Sequence, residues 1–145
     1  MTQQEDCPFS QEPLVQQRGF DHPNKIAELE VSTAILAHEQ YFRGYTLLVL
    51  REHAIELWEL DVSTRQKFME DANQMALALN KTFKPLKMNY SLMGNTLAHR
   101  HWHLTPRRLT DPNPKRPIWE NLFPDVRLDD EELRQLADEI RGNIS

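Results

Sequence analysis

The chain has little of several features that define other protein classes. It has one cysteine, Cys7, in 145 residues, which excludes a disulfide within the chain and a cysteine-rich zinc site. No apolar run approaches the ~20 residues of a membrane span, and residues 1–6 are polar rather than signal-like. The formal net charge of −5 argues against broad nucleic-acid binding. We therefore expect a cytoplasmic protein without a membrane or nucleic-acid partner.

The length and the proline distribution predict one domain with two irregular segments. A chain of this size buries roughly two-thirds of its unfolded surface as a single domain. Residues 1–25 are polar and proline-containing and predict an irregular N-terminal arm. Residues 106–128 are rich in proline and arginine and predict a long loop over the surface, serving as a lid, a dimer contact or a plain connection. The apolar residues expected to anchor this loop are Ile118, Trp119, Leu122 and Phe123.

Hydrophobic periodicity predicts the remaining elements. Residues 31–36, 45–50, 87–93 and 98–105 have the length and composition of strands. Ser63 and Gln66 form a capping-box pattern, and the apolar spacing after them predicts a helix of about five turns that stops before Pro85. Asp129 is expected to cap a short C-terminal helix. This order favours an α+β fold with a mostly antiparallel sheet.

Three of the six histidines alternate in one predicted strand, at His99, His101 and His103. Residues two apart in a strand share a face, so the three imidazoles would form a row. Three interpretations stay open from the spacing. A neutral imidazole attacks phosphorus and forms a labile phosphohistidine, alternating strand histidines bind metal ions, and histidines also form structural hydrogen bonds.

The residues on either side of the row favour phosphate chemistry. Gly94-Asn95-Thr96 combines a tight turn, an amide and a hydroxyl, which suit phosphate oxygens, although an ordinary hairpin turn fits equally well. Pro106-Arg107-Arg108 follows the row and adds cationic charge.

These residues resemble the signature of the histidine-triad (HIT) nucleotide hydrolases and transferases. The resemblance covers roughly residues 7–141, and its central part is residues 99–107 preceded by Gly94-Asn95-Thr96. Weaker similarities to that family lie upstream, at Cys7-Pro8-Phe9-Ser10 and at Gly44 to Val49 with Arg51-Glu52-His53. Downstream, Asp111-Pro112 and Trp119 resemble a bacterial branch of the family.

The resemblance implies a fold and a reaction. The fold would be a single HIT-like domain over residues 1–145, with a five-stranded antiparallel sheet, helices on one face and, as a rule, a homodimer, which sedimentation would test. The reaction would be hydrolysis at the α-phosphate of dinucleoside polyphosphates, nucleoside phosphoramidates or related nucleotides. His101 would form a nucleotidyl-histidine, and His99 and His103 would polarise the phosphate and assist the leaving group. No metal and no cofactor is required.

The resemblance also assigns residues that bind the substrate. Asn95 and Thr96, at the turn made by Gly94, would contact phosphate oxygens. Ile35 and Leu47 match positions that face the base. Tyr45 stands where the family has a histidine, and its hydroxyl would still hydrogen-bond within the site. The position of His53 lies at a strand end in the family and is not the nucleophile.

Three other positions depart from the family pattern. Ala37 replaces the residue that binds the ribose hydroxyls, so His38 or Glu39 would have to substitute. Ser10 replaces a cysteine and removes the zinc site that some members have. Arg100 replaces an apolar residue, and we expect it to pair with Glu70 or Asp71 or to extend to solvent, because an unpaired buried guanidinium is costly.

Two alternatives to a metal-independent hydrolase therefore stay open. The changes at Ala37 and Tyr45 motivate a nucleotide-binding regulatory or scaffold protein with weak or no catalysis. The row of histidines itself motivates a metal-dependent hydrolase.

Overall fold

One antiparallel sheet of five strands organises the computed structural model, which describes residues 4–120 and 122–145. Its strand order is β1-β2-β3-β5-β4. The sheet confirms the α+β class and the five-stranded architecture. Residues 1–3 of the predicted arm and residue 121 of the predicted loop lie outside the described residues. The strands are β1 (Lys25–Glu28), β2 (Ser32–Leu36), β3 (Thr46–Leu50), β4 (Lys87–Ser91) and β5 (His101–Arg107).

The N-terminal arm is more regular than its composition predicts. It holds a 3-10 turn at Gln4–Asp6 and two short helices, α1 (Pro8–Gln11) and α2 (Pro13–Gln16). Each helix starts with a proline, whose fixed φ suits the first helical position and whose missing N–H would have no partner there. The arm then leads directly into β1, which the sequence patterns did not predict.

The long helix α3 (Val62–Phe83) begins earlier than predicted. Its N-cap is Asp61, whose carboxylate accepts a hydrogen bond from the Thr64 N–H at 2.7 Å, so the predicted capping box at Ser63 is wrong. The helix ends at Phe83, before Pro85, as expected. The C-terminal helix α4 (Asp130–Arg141) is capped by Asp129, which confirms that prediction. Among the described helices, none is both long and apolar enough to cross a membrane.

The two faces of the sheet are covered by different parts of the chain. Helices α3 and α4 pack on one face, against apolar side chains that include Leu36, Leu48 and Leu104. Because side chains alternate along a strand, Ile35, Val49 and the neighbouring histidines point to the other face. There the arm covers part of the surface through apolar contacts of Leu14 and Val15 with Ile35 and Val49.

Asp71 and Arg100 do not form the expected ion pair. Asp71 of α3 is buried and accepts hydrogen bonds from the Ser32 hydroxyl at 2.6 Å and from two backbone N–H groups at residues 30 and 31. The buried Arg100 donates to the carbonyl of Met93 at 2.9 Å instead. Its guanidinium uses space at Gly94 (φ +77°), where an added Cβ would lie 1.9 Å from Arg100 Nη2. The prediction that Arg100 pairs with Glu70 or Asp71 is therefore wrong.

Arg107 organises the start of the proline-rich loop. It is 1% exposed, donates from Nε to Asp111 Oδ2 at 3.0 Å and from Nη1 to Asn89 Oδ1 at 3.0 Å, and also bonds to the carbonyl of Arg116. Its charge is thus compensated within the fold. Of the two arginines predicted to add cationic charge after the histidines, Arg107 is therefore paired with Asp111.

The predicted anchors of the same loop differ in burial. Residues 106 and 107 belong to β5, and the loop contains a 3-10 turn at Ile118–Glu120. Ile118 is buried and Phe123 is half-buried, and both pack with Phe42 and Tyr45. Leu122 is fully exposed, so its prediction as an anchor is wrong.

Candidate functional site

Two of the three histidines lie side by side on β5. His101 and His103 are opposite Val49 and Leu47 of β3, and their ring centroids are 4.6 Å apart. His99 precedes the strand and its ring is fully buried, with Nε2 2.5 Å from the carbonyl oxygen of Leu50. The predicted row of three imidazoles on one strand is therefore wrong for His99.

Backbone carbonyls fix the protonation of two imidazoles. His101 Nδ1 lies 2.6 Å from the carbonyl oxygen of His99, and a carbonyl accepts hydrogen bonds but donates none. Nδ1 therefore carries the proton, and Nε2 of His101 holds a free electron pair. Burial lowers the pKa of His101, which favours this neutral form. By the same reasoning His99 is protonated on Nε2, and its pKa is lowered to about 4, chiefly by burial.

Two aromatic residues border His103. The hydroxyl of Tyr45 lies 2.6 Å from His103 Nδ1, and the ring of Trp119 lies 5.0 Å from the imidazole ring. Burial raises the pKa of Tyr45, so the phenol keeps its proton at neutral pH. Tyr45 thus provides the hydrogen bond to Nδ1 that orients the ring of His103.

The half-buried His103 makes the stability of the fold depend on pH. Burial lowers its pKa to about 4 from an ordinary value of 6.5, which the unfolded chain keeps. Between these values the unfolded state binds more protons, so stability falls as the pH falls from 6.5 towards 4. We expect this residue to lower the free energy of unfolding by about 1–2 kcal/mol between pH 7 and pH 5, allowing for solvent screening.

Urea unfolding at the two pH values measures this effect in the wild type and in His103→Asn, which should lose this share of the pH dependence. His38→Asn, at an exposed position, is the matched control. An equal pH dependence in the two variants would contradict the expectation.

Cys7, His53 and His99 form a second cluster. His99 Nδ1 lies 3.3 Å from Cys7 Sγ and 3.2 Å from His53 Nδ1, and the three donor atoms lie within 4.8 Å of one another. Ser10 Oγ is 3.0 Å from His53 Nδ1. Structural zinc sites use four side chains, and here the fourth neighbour is a neutral hydroxyl. A metal ion would be held here by three protein ligands, so Ser10 removes one ligand rather than the whole set.

The N-terminal motif also brings an aromatic ring to the histidines. Phe9 packs edge-on against His99 and His101, with centroid distances of 5.7 and 5.3 Å. The sequence patterns assign no site role to Phe9 or Cys7, and the family resemblance places His53 at a strand end. The motif Cys7-Pro8-Phe9-Ser10 was the signal that links this segment to the site.

The residues predicted to face the base lie next to His103 on the sheet. Ile35, Leu47 and His103 are directly opposite one another across β2, β3 and β5, so their side chains share a face. Ile35 is buried beneath Leu14 and Val15 of the arm, and Leu47 is half-buried. The arm therefore forms one wall of this apolar region.

The possible substitutes for Ala37 have different surroundings. His38 is exposed. One carboxylate oxygen of Glu39 accepts hydrogen bonds from the N–H groups of Tyr41 at 2.5 Å and Val126 at 3.2 Å, so Glu39 holds loop backbone together. Of these two candidate ribose-binding residues, His38 is the one whose side chain is exposed to solvent.

The turn that contains Gly94, Asn95 and Thr96 lies in the connection from β4 to β5. Asn95 and Thr96 are exposed, and Gly94 has the positive φ expected of a tight turn. The connection enters β5 at His101, so the turn lies a few residues before the histidine with the free electron pair.

The fold and the site together define a class of proteins. Alternating histidines on one face of a five-stranded antiparallel sheet, with helices on the opposite face, characterise the histidine-triad proteins. Residues 21–110 match the HIT domain family, and the chain belongs to this family.

Relatives agree with this assignment. The chain is 32% identical over 88 residues to an uncharacterized HIT-like protein of Mycoplasma genitalium, a match that covers 57% of this chain and 62%, less than two thirds, of that protein. It is 24% identical over 121 residues to an adenosine 5'-monophosphoramidase of Schizosaccharomyces pombe, covering 83% and 87% of the two chains. The crystal structure of a histidine triad protein from Bradyrhizobium japonicum has a TM-score of 0.75 and 25% identity, covering 83% of this chain and 90% of that one.

Proposed function

We propose that this protein hydrolyses nucleotides at the α-phosphate through a nucleotidyl-histidine intermediate on His101. The observation that carries the proposal is the hydrogen bond from His101 Nδ1 to the carbonyl of His99. It keeps the Nε2 electron pair free, and burial keeps the ring neutral by lowering its pKa. An imidazole prepared in this way is a nucleophile for phosphorus.

The reaction would proceed in two displacements. His101 Nε2 attacks the α-phosphorus, the N–P bond forms, and the bond to the leaving group breaks. A water molecule then attacks the same phosphorus, the N–P bond breaks, and the nucleoside monophosphate departs. Each displacement passes through a phosphorus centre with extra negative charge, which nearby hydrogen-bond donors stabilise.

Neighbouring residues would support these steps. When the Tyr45 hydroxyl donates to His103 Nδ1, the proton of His103 is on Nε2, where it can be donated to the phosphate or the leaving group. Asn95 and Thr96 at the Gly94 turn would contact phosphate oxygens. His99 would act through its carbonyl, by orienting His101, because its own ring nitrogens face Leu50 and the Cys7 cluster.

The substrate would be a nucleotide with its base over β2 and β3. Leu47 would contact the base there, because it is the half-buried residue packed against the buried cluster of Leu14, Val15 and Ile35. Similarity to an adenosine 5'-monophosphoramidase supports an adenosine 5'-phosphoramidate as the substrate. A homodimer in the cytoplasm remains part of the proposal.

A nucleotide-binding scaffold with little catalysis is the second candidate, favoured by Ala37 and by Tyr45 in place of a histidine. Calorimetry with AMP beside a turnover assay with adenosine 5'-phosphoramidate separates the two. We expect both binding and turnover. Binding without turnover would favour the scaffold, and the absence of both would contradict a nucleotide site.

A further inference from the structure

The guanidinium of Arg100 is buried and has no carboxylate partner. Arg100 is 6% exposed, and among residues 4–120 and 122–145 no carboxylate oxygen lies within salt-bridge distance of it. Within the same residues its Nε has no hydrogen-bond partner. A buried charge without a counter-charge is costly, because burial removes the solvation of the ion. The fold therefore keeps a positive charge that no described carboxylate neutralises.

The same side chain packs behind the turn formed by Gly94, Asn95 and Thr96. Arg100 Nη2 donates to the carbonyl of Met93 at 2.9 Å, and a Cβ added to Gly94 would overlap that nitrogen. The guanidinium thus occupies space that a side chain at Gly94 would fill. Asn95 and Thr96 are exposed, whereas Arg100 is buried. A ligand at this place would therefore contact the turn and leave the guanidinium behind it.

The backbone of Arg100 is fixed beside the nucleophile. Its N–H donates to the carbonyl of Ala54 at 2.9 Å, and its carbonyl accepts a hydrogen bond from the Leu50 N–H at 3.2 Å. The next residue is His101, at the start of β5. Because the backbone is held on both sides and the side chain is bonded to the carbonyl of Met93, Arg100 connects the turn to the strand that carries His101.

The unpaired charge favours an anion at the turn. Solvent screens exposed charges strongly, but it screens a buried guanidinium much less, so the field of Arg100 extends through the adjacent backbone. A phosphate group bound by Asn95 and Thr96 would lie on the exposed side of the turn, with the guanidinium on the buried side. Its negative charge would offset the desolvation of Arg100.

We infer that Arg100 is a positioning residue of the phosphate site: it holds the turn of residues 94–96 beside His101 and supplies the positive charge that favours an anionic group there, without contact with the ligand. The inference rests on the proposed function, which places the phosphate oxygens at this turn. An apolar side chain at position 100 would fill the same space and add no charge. The arginine therefore strengthens the binding of the phosphate and leaves that of the nucleoside unchanged.

The test compares AMP with adenosine, which differ only in the phosphate group. Calorimetry measures both dissociation constants in the wild type and in variants at Arg100. We expect Arg100→Met to bind AMP about tenfold more weakly and adenosine as the wild type does. Arg100→Gln keeps a donor for the Met93 carbonyl but no charge, and should show most of the same loss. Arg100→Lys keeps the charge and should recover part of the AMP affinity.

Arg134→Met is the matched control, because it removes an exposed guanidinium that pairs with Asp21. It should bind both compounds as the wild type does. Circular dichroism checks the fold of each variant. If Arg100→Met does not fold, Arg100→Gln and Arg100→Lys provide the same comparison between a neutral and a charged side chain.

The outcomes separate the effect of the charge from a purely structural role. Equal losses of affinity for AMP and adenosine in Arg100→Met would show that the residue only supports the fold, and would overturn the inference. So would an AMP affinity that Arg100→Gln leaves unchanged, or one that Arg100→Lys does not recover at all. A wild type that binds AMP without turnover contradicts the hydrolase but not the role of Arg100, since the measurement is of binding. A wild type that binds neither compound overturns the proposed function, and the inference with it.

Discussion

His101→Ala should abolish turnover and leave the fold intact. The substitution removes the nitrogen that forms the bond to phosphorus, and no other described imidazole is placed to replace it. The ring of His99 is hydrogen-bonded to the carbonyl of Leu50, and the ring of His103 is hydrogen-bonded to the hydroxyl of Tyr45. Removal of a nucleophile that forms a covalent intermediate lowers kcat by about 10⁴-fold or more.

Hydrolysis of adenosine 5'-phosphoramidate measures the loss. AMP binding by calorimetry and the circular-dichroism spectrum check that the pocket and the fold persist. Lys67→Ala, at an exposed position on α3 at the opposite face of the sheet, is the control. If His101→Ala kept turnover near that of the wild type, the nucleophile would be a different group and the proposed mechanism would fail.

Arg107→Met should cost about 3–5 kcal/mol of stability, because it leaves the carboxylate of Asp111 buried without its cation. The two side chains are 1% and 9% exposed, and their 3.0 Å bond connects the end of β5 to the loop. The same guanidinium donates a hydrogen bond to Asn89 of β4. The substitution therefore removes the side chain that connects β5, β4 and the loop. Arg107→Lys should recover little, since an ammonium lacks the planar set of donors.

Urea unfolding at pH 7 measures this cost. Arg127→Met is the matched control, because Arg127 pairs with Asp125 in an exposed position. In Arg107→Met/Asp111→Asn the buried charge is gone, so part of the stability should return. Equal midpoints for Arg107→Met and Arg127→Met would show that the buried pair contributes nothing, contrary to our expectation.

Patterns within the sequence were sufficient for α3 and β3. The apolar spacing from Phe68 to Phe83 predicts α3, and the apolar run at residues 45–50 predicts β3, because each element buries one continuous set of side chains. The arm and β1 were not predictable in this way. They are short, and they are stabilised by contacts with distant segments, such as Leu14 with Val49.

The sequence by itself determined the family, the histidine motif and the alternation that places His101 and His103 on one face. These follow from residue types at fixed spacing along one strand. Only the tertiary structure decided that His99 turns towards Cys7 and His53, that Asp111 neutralises Arg107, and that the guanidinium of Arg100 packs against Gly94. The reason is physical: charge and protonation depend on neighbours that lie far apart in the chain, and folding alone brings those neighbours within hydrogen-bond distance.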